Sequence, residues 1–357
     1  MATPEFHELE INAVRQLTDD SVAISFAVPD ELASSYEFIP GQYLTLSTDI
    51  NGENIRRSYS ICSSIEDNLE VGIKRVDGGL FSQPAQSLSV GDTLQVMTPQ
   101  GNFKAPLSGK HRYLLIAAGS GITPCLSIAK SVLHAEPKSE IALLYGNRNA
   151  ATIMFRDDIN ALKDTYMQRF MVTHVLSGER QDAQVLNGRI DTDKLRELSQ
   201  LKMIDIGSFD GIYLCGPYEM TEAAKSWLKE QGVEESKIHF ELFNTGDFRP
   251  PVPVKPAVDS TVGDQSIVKI IIDGAEREIA VNAEKETVLG AAQKAGMDLP
   301  FSCAGGMCAT CRCKVIEGRT AMDMNFSLAD WEVEAGFTLA CQTRPLDGDV
   351  VLDFDAT

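Results

Sequence analysis

The 357-residue chain has no apolar run long enough to cross a bilayer, no internal repeat and no long low-complexity segment. Its opening, MATPEFHELE, has neither a basic start nor an apolar stretch, so a secretory leader is not expected. The expected location is the cytoplasm. Thiols stay reduced there, and clustered cysteines point to metal or catalysis more than to disulfides. Positive charge is scarce: 32 Lys and Arg against 51 Asp and Glu leave a net charge of −19. Nucleic acid is excluded as a natural partner, because its phosphates would be repelled. The same acidity keeps a protein soluble and suits a basic partner surface.

Apolar residues make up 43% and charged residues 23%, a globular composition, and the length suggests two or three domains. Residues 1–106 read as short strands broken by turns (SVAISFAV, QYLTLS, RRSYSIC, LEVGIKRV, DTLQVM), which predicts an antiparallel β-barrel or sandwich. In 107–243 the texture becomes strand–helix alternation: YLLIAA, then GSGITP, then PCLSIAKSVLHA. IALLYG, FMVTHVL and GIYLCG are further strands, and TEAAKSWLKEQG is a helix closed by Gly232. This predicts an α/β domain with a parallel sheet covered on both faces. Residues 244–263 hold Pro250, Pro251, Pro253 and Pro256 and read as a semi-rigid linker. Residues 264–357 give a strand pair (IVKIIIDG, EREIAVN), a helix (ETVLGAAQKAG) ended by Gly296, and two closing strands, a small α+β unit.

That last unit carries CAGGMCATCRC. Cys303, Cys308 and Cys311 have the spacing C-x4-C-x2-C, and Cys341 follows thirty residues on, the plant-type pattern for a [2Fe–2S] cluster. Gly305 and Gly306 would let the loop wrap and turn N–H groups toward the sulfurs. A zinc site is the competing assignment, but the second short knuckle such sites use is missing. Cys313 begins a strand and reads as a small buried hydrophobe.

In the first domain, Arg57-Ser58-Tyr59-Ser60-Ile61 offers what a flavin needs: a flat face, a donor and a cation. Alternation puts Ser60 on the side opposite Tyr59, so a bend or bulge is expected to bring it to the ring edge. Gly78-Gly79-Leu80-Phe81-Ser82 precedes a helix-like stretch and would offer N–H groups to a pyrophosphate. In the second domain, Gly119-Ser120-Gly121-Ile122-Thr123-Pro124 lies between strand and helix. There the backbone can approach phosphate, and Pro124 fits the first turn. It is not the G-x-G-x-x-G fingerprint. Cys215-Gly216-Pro217 follows another strand, at the edge where open sheets bind ligands.

Taken together in this order, these motifs resemble the ferredoxin-NADP reductase superfamily joined to a plant-type ferredoxin domain of β-grasp fold. RRSYSIC, AAGSGITP, YGNR, HFELFNT, CAGGMCATCRC and DVVLDFDA bring the likeness nearest to the reductase subunits of ring-epoxidising phenylacetyl-CoA monooxygenases. The resemblance implies Arg57 on the flavin pyrophosphate, Tyr59 against the isoalloxazine, Ser60 near N5, and Gly79 and Ser82 at the phosphate turn. It implies FAD over FMN, Thr123 and Cys215 at the nicotinamide, and Glu241 and Phe243 approaching the flavin; a core aromatic is the competing reading of Phe243. Arg148, Ser177, Arg180 and Arg189 are placed to meet a 2′-phosphate, which favours NADPH while leaving NADH open.

The expected activity is electron transfer from NAD(P)H through FAD and the cluster to a multicomponent oxygenase. Ser60 and Glu241 would tune the flavin, with no essential general acid or base. The chain has no E-x-x-H motif of a diiron site, which puts oxygen chemistry in the partner. Other acceptors (a ring hydroxylase, a desaturase, the hybrid-cluster protein) and a flavin/iron–sulfur redox sensor are the alternatives.

Overall fold

A computed structural model of the chain describes residues 5–50, 52–243 and 265–356, and the linker predicted at 244–263 lies outside them. The described residues form two compact units, 6–243 and 265–356.

In the larger unit, β1 (Phe6–Thr18), β2 (Ser21–Ala27), β3 (Tyr43–Ile50), β4 (Glu53–Ser60), β5 (Glu70–Lys74) and β6 (Thr93–Met97) make a six-stranded antiparallel sheet. Its order is β4-β3-β6-β1-β2-β5. An antiparallel bridge from Ile61, just past β4, to Val71 in β5 joins the two edges and closes a barrel. Leu9, Ile11, Ile24, Leu44, Leu46, Val71, Ile73 and Val96 point inward and fill it. The expected bulge before Ser60 is absent. β3 and β4 pair in unbroken register from Ile50↔Glu53 to Tyr43↔Ser60. The redirection comes one residue later, where Ile61 leaves β3 for β5. The expected helix after the Gly78–Ser82 turn is only a 3-10 turn, Pro84–Ser87.

The same unit continues into β7 (Arg112–Ala118), α1 (Ile122–Ala135), β8 (Glu140–Asn147), α2 (Arg156–Thr165), β9 (Phe170–Leu176), α3 (Thr192–Gln200), β10 (Gly211–Gly216), α4 (Tyr218–Glu230) and β11 (Ile238–Leu242). The five strands are all parallel, in the order β11-β10-β7-β8-β9. Alternate residues of β7 feed opposite faces. Tyr113, Leu115 and Ala117 join the core under α1, and Leu114 and Ile116 join the core under α3 and α4 with Trp227. Burial on both faces explains the continuous apolar runs. Chain order reverses between β7 and β10, which makes their carboxyl ends the ligand crevice of an open α/β sheet.

The smaller unit consists of β12 (Ser266–Ile272), β13 (Ala275–Val281), α5 (Val288–Lys294), β14 (Arg312–Met322), α6 (Asp330–Glu334), β15 (Phe337–Leu339) and β16 (Thr343–Asp353). The sheet order is β13-β12-β16-β14-β15, with β12 and β16 parallel, and α5 packs on it through Val288, Leu289 and Ala292. The Asp273-Gly274 turn between β12 and β13 has both residues at positive φ, 52° and 69°. This is the two-residue hairpin geometry that Asp-Gly favours. Asp355 accepts both turn N–H groups at 2.9 Å. Cys313 is fully buried in this core, as expected.

One carboxylate secures the passage from barrel to α/β domain. Glu136, after α1, accepts the N–H groups of Ser108 at 2.7 Å and Gly109 at 2.9 Å and the Ser139 hydroxyl at 2.6 Å. Burial alone would raise its pKa; the hydrogen bonds from Ser139, Gly109, His111 and Ser108 outweigh that and hold it below the usual carboxylate value. A depressed folded-state pKa gives stability that is present above the unfolded pKa and lost as pH falls through the folded one. Glu136→Gln should therefore lower the thermal midpoint at pH 7. The gap to wild type should close as pH drops below about 4, measured by circular dichroism melts.

Candidate functional site

Three turns meet at the carboxyl edge of the parallel sheet. The first follows β7. Gly119–Gly121 forms a single 3-10 turn leading into α1, with Gly119 at φ 55°. Tyr145 on β8 donates its hydroxyl to the Gly119 carbonyl at 3.0 Å, and Thr123 donates to the Ser120 carbonyl at 3.1 Å. Pro124 sits in the buried first turn of α1.

The second turn, Cys215-Gly216-Pro217, follows β10 and presses directly on the first. A Cβ on Gly121 would lie 2.1 Å from the Cys215 carbonyl oxygen and 2.8 Å from the Gly216 nitrogen. Gly121 therefore has a structural reason to be glycine: another backbone passes through the space a side chain would take. Gly216 is less constrained: a Cβ there would meet the movable Met220 methyl at 2.7 Å and the Ala118 backbone nitrogen only at 3.2 Å.

The third turn is the exit of β11. Parallel register sets Glu241 beside Cys215. Across from them, at the end of β4, Ser60 donates to the Glu241 carboxylate at 3.0 Å. This contact joins barrel to α/β domain over 181 residues of sequence. Cys215 and Cys125 are both fully buried. Burial, with Glu241 nearby, pushes both thiols up, so they remain neutral and are not nucleophiles. Phe243 is half-buried and packs against the core under α1.

Along β4, Arg57 is exposed and its Nη1 donates to the Arg56 carbonyl at 2.7 Å. Ser58 is opposite Thr45 on β3, and Ile61 is fully buried. Tyr59 lies against Phe81, ring centroids 5.5 Å apart, and burial keeps its hydroxyl protonated. In the Gly78–Ser82 turn, Gly79 donates to Val76 and the Ser82 hydroxyl accepts from Val76 N–H. The N–H groups of Leu80, Phe81 and Ser82 have no acceptor among the described residues, which suits an anionic group. A Cβ on Gly79 would fall 2.3 Å from the Ser82 hydroxyl.

At the far side of the crevice, Arg148 and Ser177 come together after β8 and β9. Gly178 N–H donates to the Arg148 carbonyl at 2.7 Å, and Ser177 N–H donates to Asn147 at 3.0 Å. Arg148, Ser177 and Arg180 are exposed. Arg189 is nearly free in solvent, with Glu219 4.0 Å away. Asn147 lies within the YGNR stretch, where only Arg148 is assigned a role. It is buried at this same strand end, with its side chain beside the Tyr145 hydroxyl.

In the smaller unit, the cysteine loop runs from the end of α5 to β14. Between Cys303 and Cys311 three residues have positive φ: Ala304 at 48°, Gly306 at 74° and Ala309 at 55°. Gly305 does not, so two alanines carry turns that the sequence assigned to the glycine pair. The backbone aims N–H groups at sulfur: Gly305 and Met307 donate to Cys303 Sγ at 3.4 Å, and Cys303 to Cys308 Sγ at 3.5 Å. Gln342 Nε2 reaches Cys341 Sγ at 3.5 Å.

The thiols neighbour one another in pairs, Cys303 with Cys308 and Cys311 with Cys341. Within each pair one thiol is pushed down, Cys308 and Cys341, by the hydrogen bond from its partner, and the other is pushed up. Among the described residues no three ligands gather as they would around a single ion. Four neighbouring thiols, with N–H donors turned to sulfur, suit the four-cysteine ligation of a [2Fe–2S] cluster.

Known proteins agree with this geometry. The oxidoreductase FAD-binding domain matches residues 8–105, the oxidoreductase NAD-binding domain 115–226, and the 2Fe-2S iron-sulfur cluster binding domain 270–346. A component of 1,2-phenylacetyl-CoA epoxidase from Escherichia coli is 44% identical over 98% of both chains. The chain belongs to the ferredoxin-NADP reductase superfamily. Within the superfamily, the ferredoxin reductase component of 3-ketosteroid-9-alpha-monooxygenase from Rhodococcus rhodochrous is 33% identical over 97% of this chain and 96% of its own. Phthalate dioxygenase reductase shares the fold, with a TM-score of 0.57 and 22% identity over 98% of each chain. The chain is thus an oxidoreductase with FAD, NAD(P)H and a [2Fe–2S] cluster as its cofactors. No helix among the described residues is long and apolar enough to cross a membrane.

The contact of the two turns gives a direct test. Gly121→Ala should destabilise the larger unit by about 1–3 kcal/mol, because a backbone carbonyl rather than a flexible side chain must give way. Urea unfolding followed by flavin fluorescence would measure it.

Proposed function

We propose that the protein is the cytoplasmic reductase component of a multicomponent oxygenase, taking electrons from NADPH and delivering them to a phenylacetyl-CoA epoxidase. The observation that carries this reading is the end-to-end match to a component of such an epoxidase, at 44% identity. The matching domains are 8–105 for flavin, 115–226 for nucleotide and 270–346 for the cluster, with 244–263 as linker between the α/β and cluster domains. When bound, the flavin would accept the two electrons of one hydride and part with them singly, which suits the one-electron cluster.

The residues then divide the work. Arg57, Gly79 and the N–H groups of Leu80–Ser82 hold the flavin's phosphates, and Tyr59 covers its ring. Ser60 presents its hydroxyl at the ring edge. Its bond to Glu241 fixes the hydroxyl's direction and keeps a polar group where water would otherwise enter. The Gly119–Pro124 and Cys215–Pro217 turns place the nicotinamide, with Thr123 and the neutral Cys215 thiol beside it and Phe243 at the flavin side. No proton needs to be removed from carbon, so no residue here acts as an essential general base.

Arg148, Ser177 and Arg180 supply the positive, hydrogen-bonding pocket that a 2′-phosphate requires, with Arg189 further out. Cys303, Cys308, Cys311 and Cys341 hold the cluster, two thiolates for each iron. The oxygen-activating centre belongs to the partner.

Two measurements test the assignment. Arg148→Ala should raise the KM for NADPH by about tenfold or more, the worth of a charge-assisted hydrogen bond, and leave NADH turnover unchanged; equal effects on both would remove the 2′-phosphate pocket. Cys308→Ser should lose the low-temperature EPR signal of the reduced cluster and keep the flavin absorption, whereas an undiminished signal would remove Cys308 from the ligand set. For the acceptor, wild-type protein with NADPH should support turnover by a phenylacetyl-CoA epoxidase oxygenase component and not by steroid or glycine betaine monooxygenases.

A further inference from the structure

The barrel strand β5 carries a glycine at its centre, Gly72, against which two side chains of the α/β domain are seated. A Cβ there would lie 2.8 and 2.9 Å from two ring atoms of Phe155 and 2.9 Å from the Thr123 methyl. Thr123 belongs to the turn that faces the nucleotide. Gly72 follows Val71, which bridges Ile61, the residue after Ser60. The seat therefore connects the nucleotide turn to the flavin strand through one residue of bare backbone.

Phe155 is held to this task at some cost. It is fully buried and has left-handed backbone, φ 57°, at the entry to α2. A bulky residue rarely adopts that conformation unless its surroundings over-determine it. Three residues on, Asp158 takes a two-pronged bond from Arg15 of β1 at 2.7 and 3.1 Å, and Lys130 of α1 reaches it at 3.3 Å. Arg15 also approaches Glu70 of β5 at 3.4 Å and lies over the Phe155 ring at 5.8 Å. The Asp158 and Glu70 side chains are only 14% and 13% exposed, so this cluster is poorly screened. The aromatic seat joins β5, α1 and the start of α2, and the ion cluster ties the same elements together through Arg15 of β1.

We propose that Phe155 and Asp158 are positioning residues that set the gap between nicotinamide and flavin, with Gly72 as the stop against which the nucleotide turn rests. The inference rests on the reading of the larger unit as a hydride-transferring pair of domains. It concerns residues outside the expected binding motifs. A displacement of about 1 Å between reacting groups can slow a reaction about a hundredfold without weakening binding.

The experiment compares wild type, Gly72→Ala and Asp158→Asn as FAD-loaded full-length proteins. Anaerobic stopped-flow absorbance gives the rate of flavin bleaching by NADPH. Separately, NADP+ titration gives its Kd and the long-wavelength absorption of nicotinamide stacked on flavin. Both variants should keep FAD and NADP+ affinity, lose the long-wavelength band, and bleach at least about tenfold more slowly, with a larger isotope effect from 4-deuterated NADPH. Wild-type bleaching rates and band in a folded Asp158→Asn protein would overturn the proposal, even if Gly72→Ala fails to fold. A weaker Kd at an unchanged saturating rate would overturn it too, by making these residues binding groups. Wild-type protein that NADPH does not bleach would sink the functional reading, and this inference with it.

Discussion

Gly121 has no side chain because the carbonyl of Cys215 occupies the place where one would go. That close passage of two backbones, one leaving β7 and the other leaving β10, is the constraint on which the larger unit depends. It pins the two turns at the point where the sheet reverses order. It also carries β11 along in register, so that Glu241 arrives beside Cys215 and in reach of Ser60. A single 3.0 Å hydrogen bond across the domain boundary is then enough to complete the arrangement, because the backbones on either side are already fixed. The energy that holds the site comes from the buried strands beneath it. The polar contacts at the top add direction.

The smaller unit solves a different problem. Four sulfurs that must act together as thiolate ligands have to be held close to one another. The loop meets this with left-handed turns at Ala304, Gly306 and Ala309 and with N–H groups directed at sulfur. Its flanks are anchored in the core. Cys313 is buried one step into β14, and Arg312 between Cys311 and Cys313 is held by Glu332 at 3.0 Å and by the face of Phe337. Sixteen acidic residues stand against eight basic ones in 264–357, and a partner with a basic face would be drawn to that surface.

Much of this is legible in the sequence. Cysteine spacing, the two glycine turns after apolar strands and the Arg57–Ser60 segment each carry local signals, and the fold class of all three domains follows from changes of period along the chain. What escapes is what depends on distant partners. β1 and β11 do not stand out as strands; β1 is interrupted by register shifts at Ile11/Ala13 and Gln16/Thr18 that blur its alternation. The expected bulge at Ser60 reflects a correct need, since the strand must redirect, but the barrel meets it by changing partners at Ile61. Glycines are the sharpest lesson: the close passage of Cys215 at Gly121 is not visible in the motif, and Gly72 gives no signal at all because its reason is a phenylalanine 83 residues away. Tyr145 and Asn147 stand in YGNR at the end of an apolar strand, where the charge of Arg148 alone suggests a role.

The central claim is that electrons enter as a pair at the nucleotide and leave singly through the four-cysteine centre. Anaerobic titration of the purified wild-type protein with NADPH, sampled in parallel by visible absorption and low-temperature EPR, tests it most directly. The account predicts flavin bleaching accompanied by a rhombic signal integrating to about one spin per chain, that of a reduced [2Fe–2S] centre. Complete bleaching of the flavin with no such signal, in protein shown to contain iron and sulfide, would contradict it.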